Sequence, residues 1–311
     1  MNVLITGGNG YLGGRLVKFL SEFKDINIFV CSTKRFRENF KIKRFIKFET
    51  FENLNFSDLT YQIDILVHLA GMDYRNCIKN PKKAHEVNVN FTRNILKAAI
   101  KNKVKKFIFT STFHVYGENL NSEISENLQT NPKGIYALTK SLAEEEIISI
   151  SECEDIQIII LRLSNVFGPP TDKSVNCWSL VFNDLGLQAI KTGKIILNSS
   201  GQQFRNFLPI TEFCRAVKYL IKDYKWFKGL KIFNLGGQKD LRILDVANFI
   251  KNRSQLYRSD IQIIYKNEIN QNEINKFYFN INHFLETGFQ FKVKYNDEID
   301  NLLKFISTNF K

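Results

Sequence analysis

Tyr136 and Lys140, in the segment YALTK, have residue types and a spacing suited to proton transfer. Side chains four positions apart lie on one face of an α-helix, so a helix here would bring the two groups together. A free tyrosine has a pKa near ~10, and a neighbouring ammonium favours the phenolate and lowers that pKa. The pair could therefore serve as an acid and base, although the same spacing also occurs in plain helix-surface pairs.

The segment TSTFHVYG (110–117) follows the strand-like run KKFIFT and puts hydroxyls and a histidine where that strand should end. Along an extended segment, Thr112 and His114 would point to the same side. The Thr112 hydroxyl could hydrogen-bond a reacting oxygen, and His114 could exchange a proton near neutral pH. The alternative for His114 is a histidine that only shapes the wall of a pocket.

A glycine-rich segment, ITGGNGYLGG (5–14), lies between the first predicted strand and the first predicted helix. Glycines at this spacing let the backbone turn sharply and approach a pyrophosphate that the helix N-terminus attracts. The alternative is a purely structural turn. We predict a dinucleotide site with contacts from Gly7, Gly10, Tyr11, Leu12 and Gly13.

The second predicted strand ends in VCSTKRFR (30–37), which lacks the Asp or Glu that commonly binds the ribose 2′-hydroxyl of NAD. Ser32 and Arg35 could instead bind the 2′-phosphate of NADP, for which a guanidinium is well suited. The alternative is a solvated basic loop. We expect NADP(H) to be preferred over NAD(H).

Strand-like and helix-like segments alternate through the first half of the chain, and this order implies an open parallel sheet with helices on both faces. We predict an α/β fold with a Rossmann-type doubly wound parallel sheet over residues 1–168. A smaller C-terminal α+β substrate lobe is predicted over residues 169–311, with segments such as 205–237 returning to the first domain. After NVFGPP (165–170) the regular pattern breaks, and residues up to about Gly201 form a mixed stretch.

Composition narrows the class of protein. The chain has 44 Lys and Arg against 31 Asp and Glu, but the basic clusters are spread out, so nucleic-acid binding is not expected. Met1 leads directly into a strand-like segment, and no apolar run approaches the ~20 residues of a membrane span. The cysteines are widely spaced and the histidines form no ligand pattern. We expect a cytoplasmic protein with no metal site and no membrane contact.

Several motifs occur in the order of one known family. The chain resembles the extended short-chain dehydrogenase/reductases, specifically the nucleotide-sugar epimerase/dehydratase family, essentially from end to end. The resemblance rests on TGGNGYLGG, VHLAG (67–71), NVNFTRNIL (88–96), FTSTFHVYG, YALTK, LRLSNVFGP (161–169), RNFLPITEF (205–213) and FNLGG (233–237). It implies an NAD(P)-dependent oxidoreductase or epimerase that acts on a nucleotide-diphosphate sugar by hydride transfer at a sugar carbon.

The resemblance also implies roles for individual residues. Tyr136 would be the acid/base, Thr112 would hydrogen-bond the reacting oxygen, and Lys140 would lower the Tyr136 pKa and hold the nicotinamide ribose. The cofactor cleft would be lined by Leu69, Ala70 and Gly71 and supported by Asn88. Substrate contacts would come from Thr112, His114, Asn165 and Arg205, with Arg205 facing the diphosphate unless it is an ordinary surface ion-pair former. Asn176, in the irregular segment 171–201 that is expected to line the substrate pocket, is a further candidate contact.

Two versions of the reaction stay open. In a 4-keto reductase, NADPH would deliver hydride while Tyr136 donates the proton; in an epimerase, Tyr136 would first remove a hydroxyl proton and the hydride would return to the other face. The Asp-Glu pair of the family's 4,6-dehydratases is replaced by Phe113 and His114, which disfavours 4,6-dehydration. In the family's GDP-fucose epimerase-reductases, a Cys with acid/base duty stands at the place of His114.

Other readings use the same fold. The chain could be a non-catalytic NAD(P)-sensing or RNA-associated protein, or a reductase of non-sugar ketones. A homodimer is expected by analogy, through two helices whose residues Phe91, Ile95, Leu138 and Leu142 would either contribute to the interface or belong to the core.

Overall fold

The computed structural model describes residues 1–32, 40–47, 61–118, 123–152, 155–266 and 278–310. The chain divides into two compact units. Unit 1 comprises Met1–Glu118, Glu126–Leu163 and Val217–Asn234, and unit 2 comprises Asn119–Ser125, Ser164–Ala216 and Leu235–Lys311. In the described part of the chain, no helix has both the length and the apolar composition that a membrane crossing requires.

The strands and helices are numbered in chain order. The strands are β1 (Asn2–Thr6), β2 (Asn27–Ser32), β3 (Arg44–Lys47), β4 (Ile65–His68), β5 (Lys106–Thr112), β6 (Glu123–Ile124), β7 (Gln157–Leu163), β8 (Asn165–Phe167), β9 (Lys194–Leu197), β10 (Phe204–Pro209), β11 (Gly229–Leu235), β12 (Asp240–Arg242), β13 (Gln262–Tyr265) and β14 (Tyr278–Phe279). The α-helices are α1 (Tyr11–Leu20), α2 (Tyr74–Lys79), α3 (Pro81–His85), α4 (Phe91–Lys101), α5 (Gly134–Ser151), α6 (Val181–Thr192), α7 (Ile210–Lys222), α8 (Ile243–Ser254), α9 (Asn282–Leu285) and α10 (Tyr295–Asn309).

Unit 1 is built on a seven-stranded sheet with the order β11-β7-β5-β4-β1-β2-β3. The pairs from β3 to β7 are parallel. Strands β4, β5 and β7 are buried at every position, as expected of central strands covered by helices on both faces. The order of strands reverses at β1, so the sheet is doubly wound and the predicted α/β Rossmann-type fold is confirmed.

The reversal point lies between β1 and β4, which pair in parallel from Val3–Ile65 to Thr6–His68. In such sheets, ligands bind outside the carboxyl ends of the strands at this point. The glycine loop follows β1, and Leu69–Gly71 follow β4. The fold therefore brings these predicted cofactor-binding segments to the same edge of the sheet.

Between α3 and α4 the helix widens into a π-helical turn, Glu86–Asn90, whose residues Val87, Asn88 and Val89 are buried. A π-turn inside a helix adds a residue locally and is frequent at functional sites. Here it carries Asn88, which the motif NVNFTRNIL predicts as a support for the site.

Unit 2 contains smaller sheets: β12-β10-β8, β13-β9 and β14-β6. Its core is formed by apolar residues of α6, α8 and α10 packed with β8, β9 and β10. Helix α6 lies inside the stretch in which the sequence predicted no regular element. Gly186 obscures the helical pattern, but a Cβ there would come 3.2 Å from the Ile306 Cδ1, so glycine permits the close packing of α6 on α10.

Candidate active site

The glycine loop is fixed by contacts that exclude larger side chains. Gly7 has φ +73°, and a Cβ on it would come 2.8 Å from the Ala70 N. The Gly10 N–H donates to the Gly7 O at 2.8 Å and closes the turn, and a Cβ on Gly13 would come 2.1 Å from the same carbonyl oxygen. Tyr11 and Leu12 are the first residues of α1, and Gly10 is its N-cap. The loop is thus a backbone cradle at a helix N-terminus, the arrangement that favours a bound pyrophosphate.

The end of β2 is held against this loop. Ser32 is buried, and the Asn9 Nδ2 donates to its Oγ at 3.1 Å. Cys31, at the position where a carboxylate would bind an NAD ribose, is fully buried, and burial raises the pKa of its thiol to about 12. Arg35, the predicted ligand of a 2′-phosphate, lies outside the described residues.

The segment after β4 completes the predicted cofactor cleft. The Leu69 and Ala70 N–H groups both donate to the Thr6 Oγ1 at 3.2 Å, which fixes the backbone opposite the glycine loop. The Met72 N–H donates to the Asn88 Oδ1 at 2.8 Å, and a Cβ on Gly71 would come 3.2 Å from that oxygen. The structure therefore brings Gly7, Ala70, Gly71 and Asn88 together in unit 1.

Tyr136 and Thr112 meet at the carboxyl end of β5. Thr112 is the last residue of β5, Tyr136 lies in the first turn of α5, and the Thr112 side chain is close enough to lower the pKa of the phenol. Burial raises the pKa of Tyr136 to about 12, and the hydrogen bond from Thr112 opposes part of that rise. Tyr136 is therefore a protonated phenol at neutral pH. The neighbouring Thr112 hydroxyl could hydrogen-bond the same oxygen atom of a bound molecule as the phenol does.

His114 lies beside this pair, although the geometric reason given by the sequence is wrong. Residues Phe113–Tyr116 form a 3₁₀-helix and not an extended segment, because the Thr112 Oγ1 caps the turn by accepting the His114 N–H at 3.3 Å. Alternation along a strand therefore does not apply. The His114 side chain is exposed, and its ring centroid lies 6.3 Å from that of Tyr136 in an edge-on arrangement.

Lys140 is buried one turn after Tyr136, and its ammonium is directed to the sheet. Its Nζ donates to the Thr110 O at 2.5 Å and lies 4.0 Å from the centroid of the Phe109 ring. Burial lowers the pKa of Lys140 to about 7, against the opposing effect of the Glu144 carboxylate. In this arrangement Lys140 does not depress the Tyr136 pKa, which is set mainly by burial and by Thr112. The Tyr136 pKa is therefore higher than the sequence predicted.

Of the predicted substrate contacts, Thr112 and His114 lie in unit 1, whereas Asn165, Asn176 and Arg205 lie in unit 2. Asn165 on β8 and Arg205 on β10 belong to adjacent parallel strands, and the Asn165 Nδ2 donates to the Asn206 O at 3.0 Å. The Arg205 side chain is exposed, and its Nη1 donates to the Phe204 O. Asn176 is exposed in the segment that precedes α6. No group of three or more His, Cys, Asp or Glu side chains suited to a metal ion occurs among the residues described.

Comparison with known proteins identifies the family. The sequence profile of the NAD dependent epimerase/dehydratase family matches residues 3–236. The chain belongs to this family. The resemblance predicted from the motifs is confirmed, and with it the prediction of a nicotinamide-dependent enzyme.

Relatives within the family include both epimerases and dehydratases. The human dTDP-D-glucose 4,6-dehydratase is 30% identical over 265 residues, which cover 79% of this chain and 71% of that protein. The UDP-glucose 4-epimerase of Mycoplasma genitalium is 28% identical over 283 residues, covering 82% of each protein. Family membership therefore does not distinguish epimerisation from 4,6-dehydration. The prediction from the sequence that the chain is not a 4,6-dehydratase stays a prediction.

A solved structure shows the same fold. UDP-glucuronic acid 4-epimerase from Bacillus cereus, in complex with UDP-glucuronic acid and NAD, has a TM-score of 0.81 and 23% identity over 99% of both chains. This likeness agrees with the doubly wound sheet of unit 1 and extends along the chain into the smaller unit.

Some residues that support the site were not found from the sequence. Thr139 accepts the Asn88 Nδ2–H at 2.9 Å, and its hydroxyl donates to the Tyr136 O at 3.0 Å. Thr6 and His68 are likewise buried and hydrogen-bonded to each other. Thr139 lies between the Tyr and Lys of YALTK, but that position alone does not reveal a partner 51 residues away along the chain.

Proposed function

We propose that this protein is a 4-keto reductase or epimerase of a nucleotide-diphosphate sugar. Its family membership supports a nicotinamide-dependent reaction, and its relatives include UDP-glucose epimerases and dTDP-glucose dehydratases. The observation that carries the proposal is that Tyr136 lies beside Thr112 at the carboxyl end of β5, with the His114 ring centroid 6.3 Å from that of Tyr136. These side chains would supply an acid/base and a hydrogen-bond donor at the sheet edge that also carries the glycine loop.

The residues at the sheet edge fit a nicotinamide dinucleotide. A Cβ on Gly7, Gly10 or Gly13 would come within 3.1 Å of backbone atoms, so these positions require glycine. Because glycine has no side chain, a diphosphate could approach the main chain of the loop closely. Gly7–Gly13 would hold the diphosphate, Leu69–Gly71 would line the cleft, and Lys140 would reach the ribose. When bound, the nicotinamide accepts or supplies the hydride, and the protein's own groups handle the proton.

Tyr136 would give or take that proton at its phenol oxygen. Thr112 would donate a second hydrogen bond to the same substrate oxygen and hold it in line with the phenol. His114, with its ring beside that of Tyr136, would contact the sugar and could exchange a proton at the adjacent carbon. Burial raises the pKa of Tyr136 to about 12, so the phenol carries the proton that ketone reduction requires; in an epimerase the phenol would first have to lose it.

The preference for NADP over NAD is also part of the proposal. Solved neighbours were obtained with NAD, so the finer choice depends on the basic segment after β2. Cys31 supplies no carboxylate for a ribose 2′-hydroxyl, and Arg35 would pair with a 2′-phosphate.

Calorimetric titration with NADH and NADPH tests the cofactor proposal. Arg35→Ala should weaken NADPH binding about 10- to 100-fold and leave NADH binding within about twofold, because only NADPH carries the 2′-phosphate. Arg37→Ala, in the same basic segment, controls for a general loss of charge. Equal affinity for both dinucleotides in the unaltered protein would favour the epimerase, and binding of neither would refute the enzyme proposal.

In unit 2, Asn165, Asn176 and Arg205 are proposed to contact the nucleotide sugar. Arg205 is suited to the diphosphate because a guanidinium binds two phosphate oxygens in parallel. Substitution of Arg205 by Met should therefore weaken UDP binding at least about tenfold while NADPH binding is retained.

A homodimer is proposed through α4 and α5. Phe91 and Ile95 are fully buried and therefore belong to the core of unit 1 and not to an interface, whereas Leu142 is half-buried. On α5, Leu138 is 42% exposed and Ile148 is 36% exposed. We expect Leu138→Glu to give a monomer in light scattering at micromolar concentration, with Leu256→Glu on unit 2 as the control for an exposed leucine. A monomeric unaltered protein would refute the dimer.

A further inference from the structure

His68, the last residue of β4, has no part in the proposed chemistry but lies at the centre of unit 1. Its side chain is 0% exposed. Its ring stacks on Phe109 at 5.7 Å and meets Phe91 edge-on at 5.3 Å. Both ring nitrogens nevertheless have hydrogen-bond partners, so this histidine does more than fill apolar volume.

On one side, His68 is linked to the predicted cofactor cleft. The His68 Nδ1 lies 2.7 Å from the Thr6 Oγ1. That same oxygen accepts the Leu69 and Ala70 N–H groups at 3.2 Å. The position of the backbone opposite the glycine loop therefore depends on the atom that His68 contacts.

On the other side, His68 is linked to the helix that carries Tyr136. The His68 Nε2 lies 3.0 Å from the Thr92 Oγ1, which donates to the Asn88 O at 2.7 Å. The Asn88 Nδ2 donates to the Thr139 Oγ1 at 2.9 Å, and the Thr139 hydroxyl donates to the Tyr136 O at 3.0 Å. A continuous chain of buried polar groups thus joins His68 to the first turn of α5.

The positions of the protons in this chain fix one tautomer of His68. The single Thr92 proton goes to a carbonyl oxygen, which can only accept, so Thr92 must accept the proton of the His68 Nε2–H. The Thr6 oxygen already accepts backbone N–H groups and must use its own proton toward the His68 Nδ1. Both contacts are satisfied only by the neutral ring with its proton on Nε2.

We propose that His68 is a positioning residue, which in its neutral Nε2–H form holds the Leu69–Ala70 backbone and the Tyr136 turn in one fixed arrangement. The inference rests on the proposed function, since it matters only if the cleft binds a nicotinamide dinucleotide beside Tyr136. His68 touches neither cofactor nor substrate and acts through Thr6 and Thr92. The alternative is a histidine that only stabilises the fold.

Nitrogen-15 NMR of uniformly labelled protein tests the tautomer directly. The chain has 4 histidines, and the His68 signals are assigned by their loss in His68→Asn. We expect a neutral ring with the proton on Nε2 that does not change between about pH 5 and pH 8. A proton on Nδ1, or a charged ring at neutral pH, would overturn the proposal.

A pair of variants at Thr92 separates positioning from stability. Thr92→Val keeps the side-chain volume but removes the hydroxyl, and Thr92→Ser keeps the hydroxyl but removes the methyl group. We expect Thr92→Val to weaken binding of the preferred dinucleotide, NADH or NADPH, about five- to tenfold, the effect of one lost buried hydrogen bond. Thr92→Ser should restore affinity to within about twofold of the unaltered protein.

The outcomes distinguish this inference from the proposed function. Unaltered protein that binds neither dinucleotide would refute the proposed function, and the positioning role would fall with it. Unaltered protein that binds, together with a Thr92→Val variant that has a lower melting temperature but the same affinity, would refute the positioning role alone. Loss of affinity in Thr92→Val with recovery in Thr92→Ser would support it.

Discussion

The proton on Tyr136 is the feature on which the proposed chemistry depends. Tyr136 lies beside Thr112, and burial raises its pKa to about 12, so in the proposed reaction the residue would act as an acid. The ring of Tyr74, which is 59% exposed, lies 6.4 Å from it and has no assigned role. These neighbouring phenols allow a matched test.

We predict that Tyr136→Phe lowers the rate of ketone reduction at least about 100-fold, because the proton donor is lost while the ring is kept. Dinucleotide affinity should change less than about threefold. Tyr74→Phe should leave the rate within about twofold. Stopped-flow measurement of nicotinamide oxidation gives the rate, and full activity in Tyr136→Phe would assign the proton to another group.

His68 makes a separate prediction about stability. Burial and the Lys140 charge lower the pKa of His68 to about 3, whereas an unfolded histidine titrates near ~6.5. Between these values the unfolded chain binds a proton that the folded chain does not, so the free energy of unfolding falls as the pH drops below about 6.5. His68 alone should contribute a loss of about 2 kcal/mol between about pH 7 and pH 5.

Urea unfolding at both pH values measures this loss. His68→Asn should be less stable overall but should show a shallower pH dependence than the unaltered protein. His283→Asn, at an exposed histidine on α9, is the control and should keep the steep dependence. The same slope in all of these proteins would show that His68 takes up its proton in the folded state.

At the scale of single residues, the sequence predicted which side chains lie close together, but it did not predict their local backbone conformation or their orientation. The proximity of Tyr136 and Thr112 could be predicted, because the sequence pattern indicates both the end of β5 and the start of α5. The turn at His114 is not legible, since a threonine cap converts an expected extended segment into a 3₁₀-helix. The orientation of Lys140 toward Thr110 depends on a buried carbonyl that no spacing rule reveals.

At the scale of structural elements, the loop between β1 and α1 allows a matched test of two glycines. Gly7 (φ +73°) and Gly229 (φ +92°) both have left-handed backbone, but a Cβ on Gly7 would meet Ala70, whereas one on Gly229 would enter open space. Alanine at either position should cost about 1 kcal/mol through the backbone. Gly7→Ala should in addition weaken dinucleotide binding at least about tenfold.

Calorimetric titration of the two alanine variants with the preferred dinucleotide measures that difference. Gly229→Ala should keep the affinity of the unaltered protein. Unchanged affinity in Gly7→Ala would mean that the contact between the glycine loop and Ala70 does not shape the cofactor site.

The helix α5 is tied to β7 by a buried ion pair. The Arg162 Nη2 donates to the Glu144 Oε2 at 2.8 Å, and the Arg162 Nη1 donates to the Tyr116 Oη at 3.0 Å. Glu144→Gln should lower the free energy of unfolding by about 3–5 kcal/mol, because it leaves a buried guanidinium without its counter-charge.

The exposed pair between Lys228 and Asp155 provides the comparison, since its side chains are 68% and 75% exposed. Asp155→Asn should cost less than about 0.5 kcal/mol. Denaturant unfolding of both variants gives the two free energies. Similar small losses would show that the Arg162 charge is solvated in the folded protein.

The elements of unit 1 could be predicted because their strands are continuous apolar runs, bounded by glycines or polar residues and separated by amphipathic helices. In unit 2 the pattern is weaker. Helix α6 carries a glycine at its contact with α10, and β8, β12 and β14 have only two or three residues each. Such short strands are stabilised by pairing with a neighbouring strand. Because that partner lies elsewhere in the chain, the local sequence pattern does not reveal them.

On the scale of the whole molecule, the order of several motifs identified the family before any single motif could. Each motif alone is a common pattern, but their order along the chain is specific. The motifs are the glycine loop, the end of β5, the start of α5 and the segment after β7. The choice of sugar does not follow in the same way. It would depend on the proposed substrate contacts Asn176 and Arg205, which are exposed in unit 2 and whose residue types do not specify a sugar.

Transfer of deuterium tests the central claim most directly. The protein is incubated with NADH or NADPH carrying deuterium at the transferred position and with UDP-, dTDP- or GDP-linked 4-keto sugars, and the sugars are analysed by mass spectrometry. We predict incorporation of deuterium at the keto carbon of at least one sugar by the unaltered protein and none by Tyr136→Phe. A protein that binds the dinucleotide but labels none of these sugars, or a Tyr136→Phe variant that labels them equally, would contradict the account.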